Sequence, residues 1–221
     1  MQRCWCKAIK DLLDDNDLQA HWRKPLILKE WKTLINGLTK RRFDQQSTDN
    51  INKRPSLELF RQIKQSNKLE QWLNRGSSHP GVILRTKLRC GALPLMDQVG
   101  ASMKWPRELR HCMFCDKQCI ETAQHFVAEC PFYADLRTEA VRRINATIAN
   151  QITPQLKQQL TEKSTVHLTR LFLSDALLTE IQPEAQAKVD DIALNFLKLA
   201  WRKRERLWSH VCKPDNPWRL A

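Results

Sequence analysis

Cys112, Cys115, His125 and Cys130 follow one another as Cys-x2-Cys-x9-His-x4-Cys. Cys112 and Cys115 bracket Met113-Phe114, a spacing that lets two thiolates reach one ion from a tight turn. His125 and Cys130 fall at the end of an expected helical segment over 121–129, which Pro131 helps to terminate. Three thiolates and one imidazole fill a tetrahedral zinc shell and leave no open position. The expected cofactor is therefore one structural Zn2+, since a hydrolytic zinc must also hold a water. The plainer alternative is that the cysteines are small buried apolar residues around a core histidine. It fits poorly, because residues 109–125 carry few large apolar groups to hold themselves folded. Cys119 and His111 are rival ligands. The first is expected to be a bystander in the loop, and the second directly precedes Cys112, which disfavours a shared ion. Cys4, Cys6, Cys90 and Cys212 are expected to be ordinary packed or exposed thiols.

The second chemistry in the chain is charge. Lys and Arg number 37 against 24 Asp and Glu, a formal net charge of +13, which predicts an anionic partner. Three basic stretches stand out: Lys40-Arg41-Arg42 with Lys53-Arg54; Arg85, Lys87 and Arg89 with Lys104, Arg107 and Arg110; and Arg202-Lys203-Arg204 with Arg206. Each can neutralise phosphates, and each can equally be a solvated helix face. The central cluster is the preferred nucleic-acid contact because it leads directly into the cysteine motif. Of the tryptophans, Trp31, Trp72, Trp201 and Trp208 fall on apolar stripes and are expected in the core. Trp105, between Lys104 and Pro106, is the candidate for stacking on a base.

Helices must position these groups. Glycine is scarce, with 5 residues, while hydrophobic residues make up 42%, enough for a core. Residues 4–15 read as a short amphipathic helix. A second follows Pro25 on Leu26, Leu28, Trp31, Leu34, Ile35 and Leu38 and runs into Lys40-Arg41-Arg42. Residues 45–55 lack large apolar groups except Ile51 and read as a loop or linker. Pro55 opens a helical stretch carrying Leu57, Phe60, Ile63 and Trp72, and Gly76-Ser77-Ser78-His79-Pro80-Gly81 breaks it. A helix follows over 82–89, another over 132–148, and further helical stretches start at Pro154 and Pro183. The last is long and runs towards Pro214. Short stretches over 82–84 and 167–173 are the remaining strand candidates. The expected organisation is three parts: 1–75 helical, 76–150 metal-binding and 151–221 helical. No apolar run approaches a membrane span, and no apolar region follows the first residues as in a signal peptide. An intracellular, reducing compartment is expected, the nucleus before the cytoplasm.

The string Leu88-Arg89-Cys90-Gly91-Ala92-Leu93-Pro94, the Cys-x2-Cys pair, Glu121-Thr122-x2-His125-Phe126, Cys130-Pro131 and Tyr133-x3-Arg137 together resemble the zinc-binding domain found just downstream of the reverse transcriptase in non-LTR (LINE-type) retrotransposons. The likeness covers roughly residues 80–140. It implies Cys112, Cys115, His125 and Cys130 as zinc ligands. It also implies a module that grips RNA or DNA beside a polymerase during target-primed reverse transcription, with an adjoining reverse transcriptase as partner. Thr122 can cap the helix that carries His125, and Glu121 favours its positive end. Arg89 and Arg137 are either phosphate contacts or partners for acidic groups around the zinc loop.

No polymerase or nuclease site is expected here. Asp14-Asp15 and Asp190-Asp191 are the acidic pairs, and both fall in helical patterns that read as solvated faces. Pro183-Glu184-Ala185-Gln186-Ala187-Lys188 has the wrong spacing for a restriction-like nuclease. Glu70, Glu121 and Glu180 have no recognisable partner. The reading is a mostly α, multi-helix protein with a Cys-Cys-His-Cys zinc module and little or no β. It is a fragment or remnant that is not an enzyme by itself, with no membrane or small-molecule substrate. The alternative is a helical protein–protein interaction module with a structural zinc.

Overall fold

The computed structural model of the chain describes residues 5–16, 18–22, 27–64, 69–149, 164–174 and 181–211. Among them are eight α-helices and one isolated antiparallel bridge, so the mostly α expectation holds. None of these helices is long and apolar enough to cross a membrane. The helix expected from Pro154 lies outside the described residues, as do Cys4 and Cys212. Contacts divide the chain after Lys53, not after residues 75 and 150 as composition suggested.

The first unit holds α1 (Trp5–Asp14), a 3-10 turn over Gln19–Trp22 and α2 (Leu28–Asn52). Glu30 accepts a hydrogen bond from the Ile27 N–H at 3.1 Å and so satisfies a free donor at the start of α2. The linker expected over 45–55 is instead the last part of this helix, up to Asn52. No glycine or proline interrupts 45–54, and polar i,i+4 contacts support the turns. Gln45 donates to Asp49 at 3.2 Å, and Thr48 donates to the Asp44 carbonyl at 2.8 Å. A helix bathed by solvent needs no apolar stripe there, and α2 buries none of its residues fully.

The second unit is built around one long helix. It comprises α3 (Glu58–Ile63), α4 (Pro80–Arg89), α5 (Met96–Ser102), α6 (Ala134–Ile148), α7 (Thr165–Leu173) and α8 (Pro183–Val211). Both strand candidates are helical, within α4 and α7. α8 packs against α4, α6 and α7, and buries Val189, Ala193, Leu194, Leu197 and Ala200. Phe172 of α7 lies on Phe196 with ring centres 4.3 Å apart. α4 crosses α8 closely because Gly81 has no side chain: a Cβ there would lie 2.7 Å from the Leu194 Cβ and carbonyl oxygen. Residues 54–75 join this core, since Ile63 and Trp72 are buried within the unit. The end of α4 is a Schellman turn. Ala92 N–H donates to the Lys87 carbonyl at 2.8 Å and Gly91 N–H to Leu88 at 3.3 Å, with Gly91 at φ +61°.

Candidate metal centre

The loop carrying the first two cysteines leaves a bridge between His111 and Ile120. Cys112 N–H donates to the Cys119 carbonyl at 2.7 Å, and Glu121 N–H donates to Arg110 at 3.1 Å. These bonds pinch 112–119 into a tight turn, as the Cys-x2-Cys spacing requires. The second pair comes from a short helix that begins at Ala123 and widens into a π-turn over His125–Glu129. Thr122 caps it: its Oγ1 accepts from the His125 N–H at 3.0 Å. The Cys130 N–H then reaches back to the His125 carbonyl at 2.8 Å, which draws the two ligands together across the wide turn.

The ligand atoms of Cys112, Cys115, His125 and Cys130 all lie within 4.8 Å of one another. Cys112 Sγ and Cys130 Sγ are 3.8 Å apart, and Cys115 Sγ is 3.5 Å from His125 Nε2. Zinc bonds of about 2.3 Å to sulfur and 2.0 Å to nitrogen, at tetrahedral angles, give edges of about 3.8 and 3.5 Å. Both distances match, and the first is far too long for a disulfide. The donor set therefore fits one metal ion, with zinc the best match. His125 Nδ1 is buried without a hydrogen bond and faces Glu129 Oε2 at 3.5 Å, the arrangement of a histidine that binds through Nε2. Without an ion, Cys112 is pushed up to about 12 by its hydrogen bond with Cys130 and by burial, while that same bond lowers Cys130. Burial pulls the imidazole of His125 down, but Cys112 and Glu129 overcome it and raise it. Cys119 and His111 stand outside the cluster, and Cys119 donates to the Lys117 carbonyl instead.

Several expected nucleic-acid contacts are inside the fold. Arg85 is completely buried, and its Nη1 donates to Asp190 at 2.8 Å. Arg89 is also buried and grips Glu70 through two bonds of 2.6 and 2.7 Å, with Lys64 and the Trp72 indole on the same carboxylate. Neither arginine offers a surface to phosphate. Arg110 donates to Asp97 at 3.2 Å and twice to the Trp105 carbonyl, and its side chain lies over Gly100. Arg137 donates to the carbonyls of Val127 at 2.9 Å and Cys130 at 2.6 Å, closing the π-turn rather than meeting an acid. Lys87, Lys104 and Arg107 are exposed, and Trp105 is half-buried.

Glu70, Glu121 and Asp190, read as partnerless or solvated, are corrected in the same way, whereas Asp14 and Asp15 are exposed as expected and Glu180 lies outside the described residues. Glu70 and Asp190 are the buried partners just described. Glu121 takes two 3.0 Å bonds from Arg204, and its helix end is that of α5, where it accepts from the Met96 N–H at 2.8 Å. The Arg204 guanidinium lies about 5 Å from the rings of Phe114, Trp201 and Trp208. Phe114 sits between the two loop cysteines, so this buried ion pair ties the cysteine loop to α8. Lys203 beside it binds Asp135 and the Phe132 carbonyl. Helix phase carries a signal for these charges. Arg85 shares its stripe with Gly81, Leu88 and Arg89, and Asp190 and Arg204 share theirs with Ala193, Leu197 and Ala200. No known protein family, curated protein or solved structure matches the chain.

Proposed function

We propose that the chain is a zinc-stapled nucleic-acid-binding module, similar to the region behind the reverse transcriptase of non-LTR retrotransposons, with the metal in a structural role. The observation that carries this reading is the convergence of three thiol sulfurs and one imidazole nitrogen within 4.8 Å, two of their separations being 3.8 and 3.5 Å as a tetrahedral shell requires. They are part of the motif on which the family resemblance rests. Cys112, Cys115, His125 and Cys130 would hold the ion, which supplies a rigid cross-link between the loop and the π-turn. The four-ligand set reserves no position for a reacting water, so no catalytic step is assigned to it. The net charge of +13 supplies the attraction to phosphate. Arg89 and Gly91 of the resembling string have structural work here, an ion pair and a helix stop, which accounts for their place next to the module.

Elemental analysis after reducing, metal-replete purification tests the staple. One zinc per chain is expected, and Cys115→Ser is expected to lose it together with thermal stability. Unchanged zinc and melting in that variant would remove the ligand assignment. RNA and DNA binding must also weaken steeply with salt; affinity that survives high salt would remove the nucleic-acid reading.

The interaction-module alternative required an exposed apolar stripe along 192–208. Of that stripe Ile192 and Phe196 are buried, Trp201 and Trp208 are half-buried, and Leu199 and Leu207 are at 39% and 37% exposure, so it is not a broad exposed apolar face.

A further inference from the structure

Four of the cations expected to meet nucleic acid are engaged by partners of the fold, which leaves Lys87, Lys104 and Arg107 of that set exposed. Of those left outside, Arg107 opens onto a cleft where it and Arg110 face Glu58 and Asp97, the latter already paired with Arg110 at 3.2 Å, so the cleft holds no surplus of positive charge. A groove of about 410 Å3 between α6 and α8 has the opposite balance. Arg142 and Arg143 line it from α6 and Lys188 from α8, with the neutral polar groups of Thr147 and Asn195 in its walls. Asp191 lines it as well, on the same stripe as Lys188, and Glu139 lies beside it; each is matched by an arginine. Asp191 accepts from Arg75 at 3.0 Å, and Glu139 binds Arg142 at 2.7 Å. Arg143 and Lys188 enter no ion pair among the described residues, although Arg143 feels the charge of Glu139. The groove therefore keeps a positive surplus from both walls. That surplus continues along α8, where Lys188, Asn195, Lys198 and Arg202 follow at helical spacing and none is buried. At 1.5 Å per residue the stripe from Lys188 to Arg202 is about 21 Å long, the axial rise of about six base-pair steps.

We propose that the α6/α8 groove and this stripe are the surface that takes the phosphodiester backbone of a nucleic acid. The proposal rests on the nucleic-acid reading above and gives it a location. Facing cations with hydrogen-bonding groups between them suit one phosphate, and the stripe suits its successors. Such contacts fix position without reading sequence.

The test uses the full chain with a labelled DNA duplex of about 20 base pairs and an RNA hairpin of similar length, titrated across salt concentrations. The doubly reversed variant, Arg143→Glu with Lys188→Glu, is expected to lose at least about tenfold in affinity and to flatten the salt dependence by about two units of slope. Changing Lys87 and Arg107 to glutamate is expected to stay within about twofold of the parent. Because charge reversal can disturb folding, the neutral pair Arg143→Gln with Lys188→Gln is measured too; zinc content and melting should be unchanged, and the slope should again fall by about two. Parent-like binding by both groove variants, or a loss confined to the Lys87 and Arg107 variant, would overturn the location alone. A parent protein with no salt-dependent binding would overturn the functional reading and the location with it.

Discussion

Glu70 accepts hydrogen bonds from Arg89 through both oxygens, and from Lys64 and the Trp72 indole. Burial alone would raise its carboxyl; these donors overcome it and hold the group at about 2, against 4.5 for an ordinary glutamate. A carboxyl lowered by folding stabilises the native state fully above its unfolded pKa and loses that contribution as pH falls. The loss should reach about 2 kcal/mol by pH 3 and about 3 kcal/mol by pH 2. Asp190 runs the other way, because burial raises its carboxyl beyond what Arg85 restores. The Glu70 share is therefore read by difference. Urea unfolding of the parent and of Glu70→Gln at pH 6 and pH 3 should show the parent losing about 2 kcal/mol more on acidification. At pH 6 the variant itself should be less stable by about 3–5 kcal/mol, with Arg89 left buried beside a neutral amide. Equal acid losses in the two proteins would mean that Glu70 is not the charged partner of Arg89.

At the scale of elements, two glycines should respond to the same change with opposite sign. Gly91 ends α4 in the left-handed region, and a Cβ there would lie 2.9 Å from the Ser56 carbonyl oxygen. Gly37 lies inside α2 with nothing within 4 Å of a built Cβ. Gly91→Ala should cost about 1–2 kcal/mol and Gly37→Ala should gain about 0.5–1 kcal/mol, both read by urea titration. A neutral result at Gly91 would show that the helix stop does not need the left-handed turn. The helices were legible where an apolar period marked them, as in α4, α6 and α8. The end of α2 was not, because a solvent-bathed helix held by polar i,i+4 contacts has the composition of a linker. The four candidate ligands were legible because loop and turn geometry are local. The ion pairs were not, because Arg85 and Asp190 are 105 residues apart and Arg204 and Glu121 are 83 apart. Within one helix, a cation in the apolar phase looks the same whether its partner exists or not.

At the scale of the whole molecule, the cysteine loop is joined to the core by more than the four candidate ligands. Phe114 stacks near Phe132 and Trp208, at 5.5 and 6.3 Å between ring centres, and Arg204 lies against Phe114 while it binds Glu121. Where the proposed zinc occupies the site, removing it should therefore loosen the part of α8 that carries these residues before it loosens the far half. There, Gly81 and Leu194 pack without reference to the metal. Amide exchange after zinc chelation tests this gradient: residues 200–208 should lose protection, while 186–196 and α4 should keep most of theirs. Unchanged exchange at 200–208 would make the loop an independent graft, and an equal loss throughout would make the metal a condition for the whole core. Arg204→Met separates the tether from the ligands. It should cost about 3–5 kcal/mol by leaving Glu121 buried and unpaired, yet retain one zinc per chain. Adding Glu121→Gln should recover part of that cost, since the remaining charge is then removed. If Arg204→Met also lost the zinc, the tether would be part of the metal site itself, and the ion would depend on α8 as much as α8 depends on the ion.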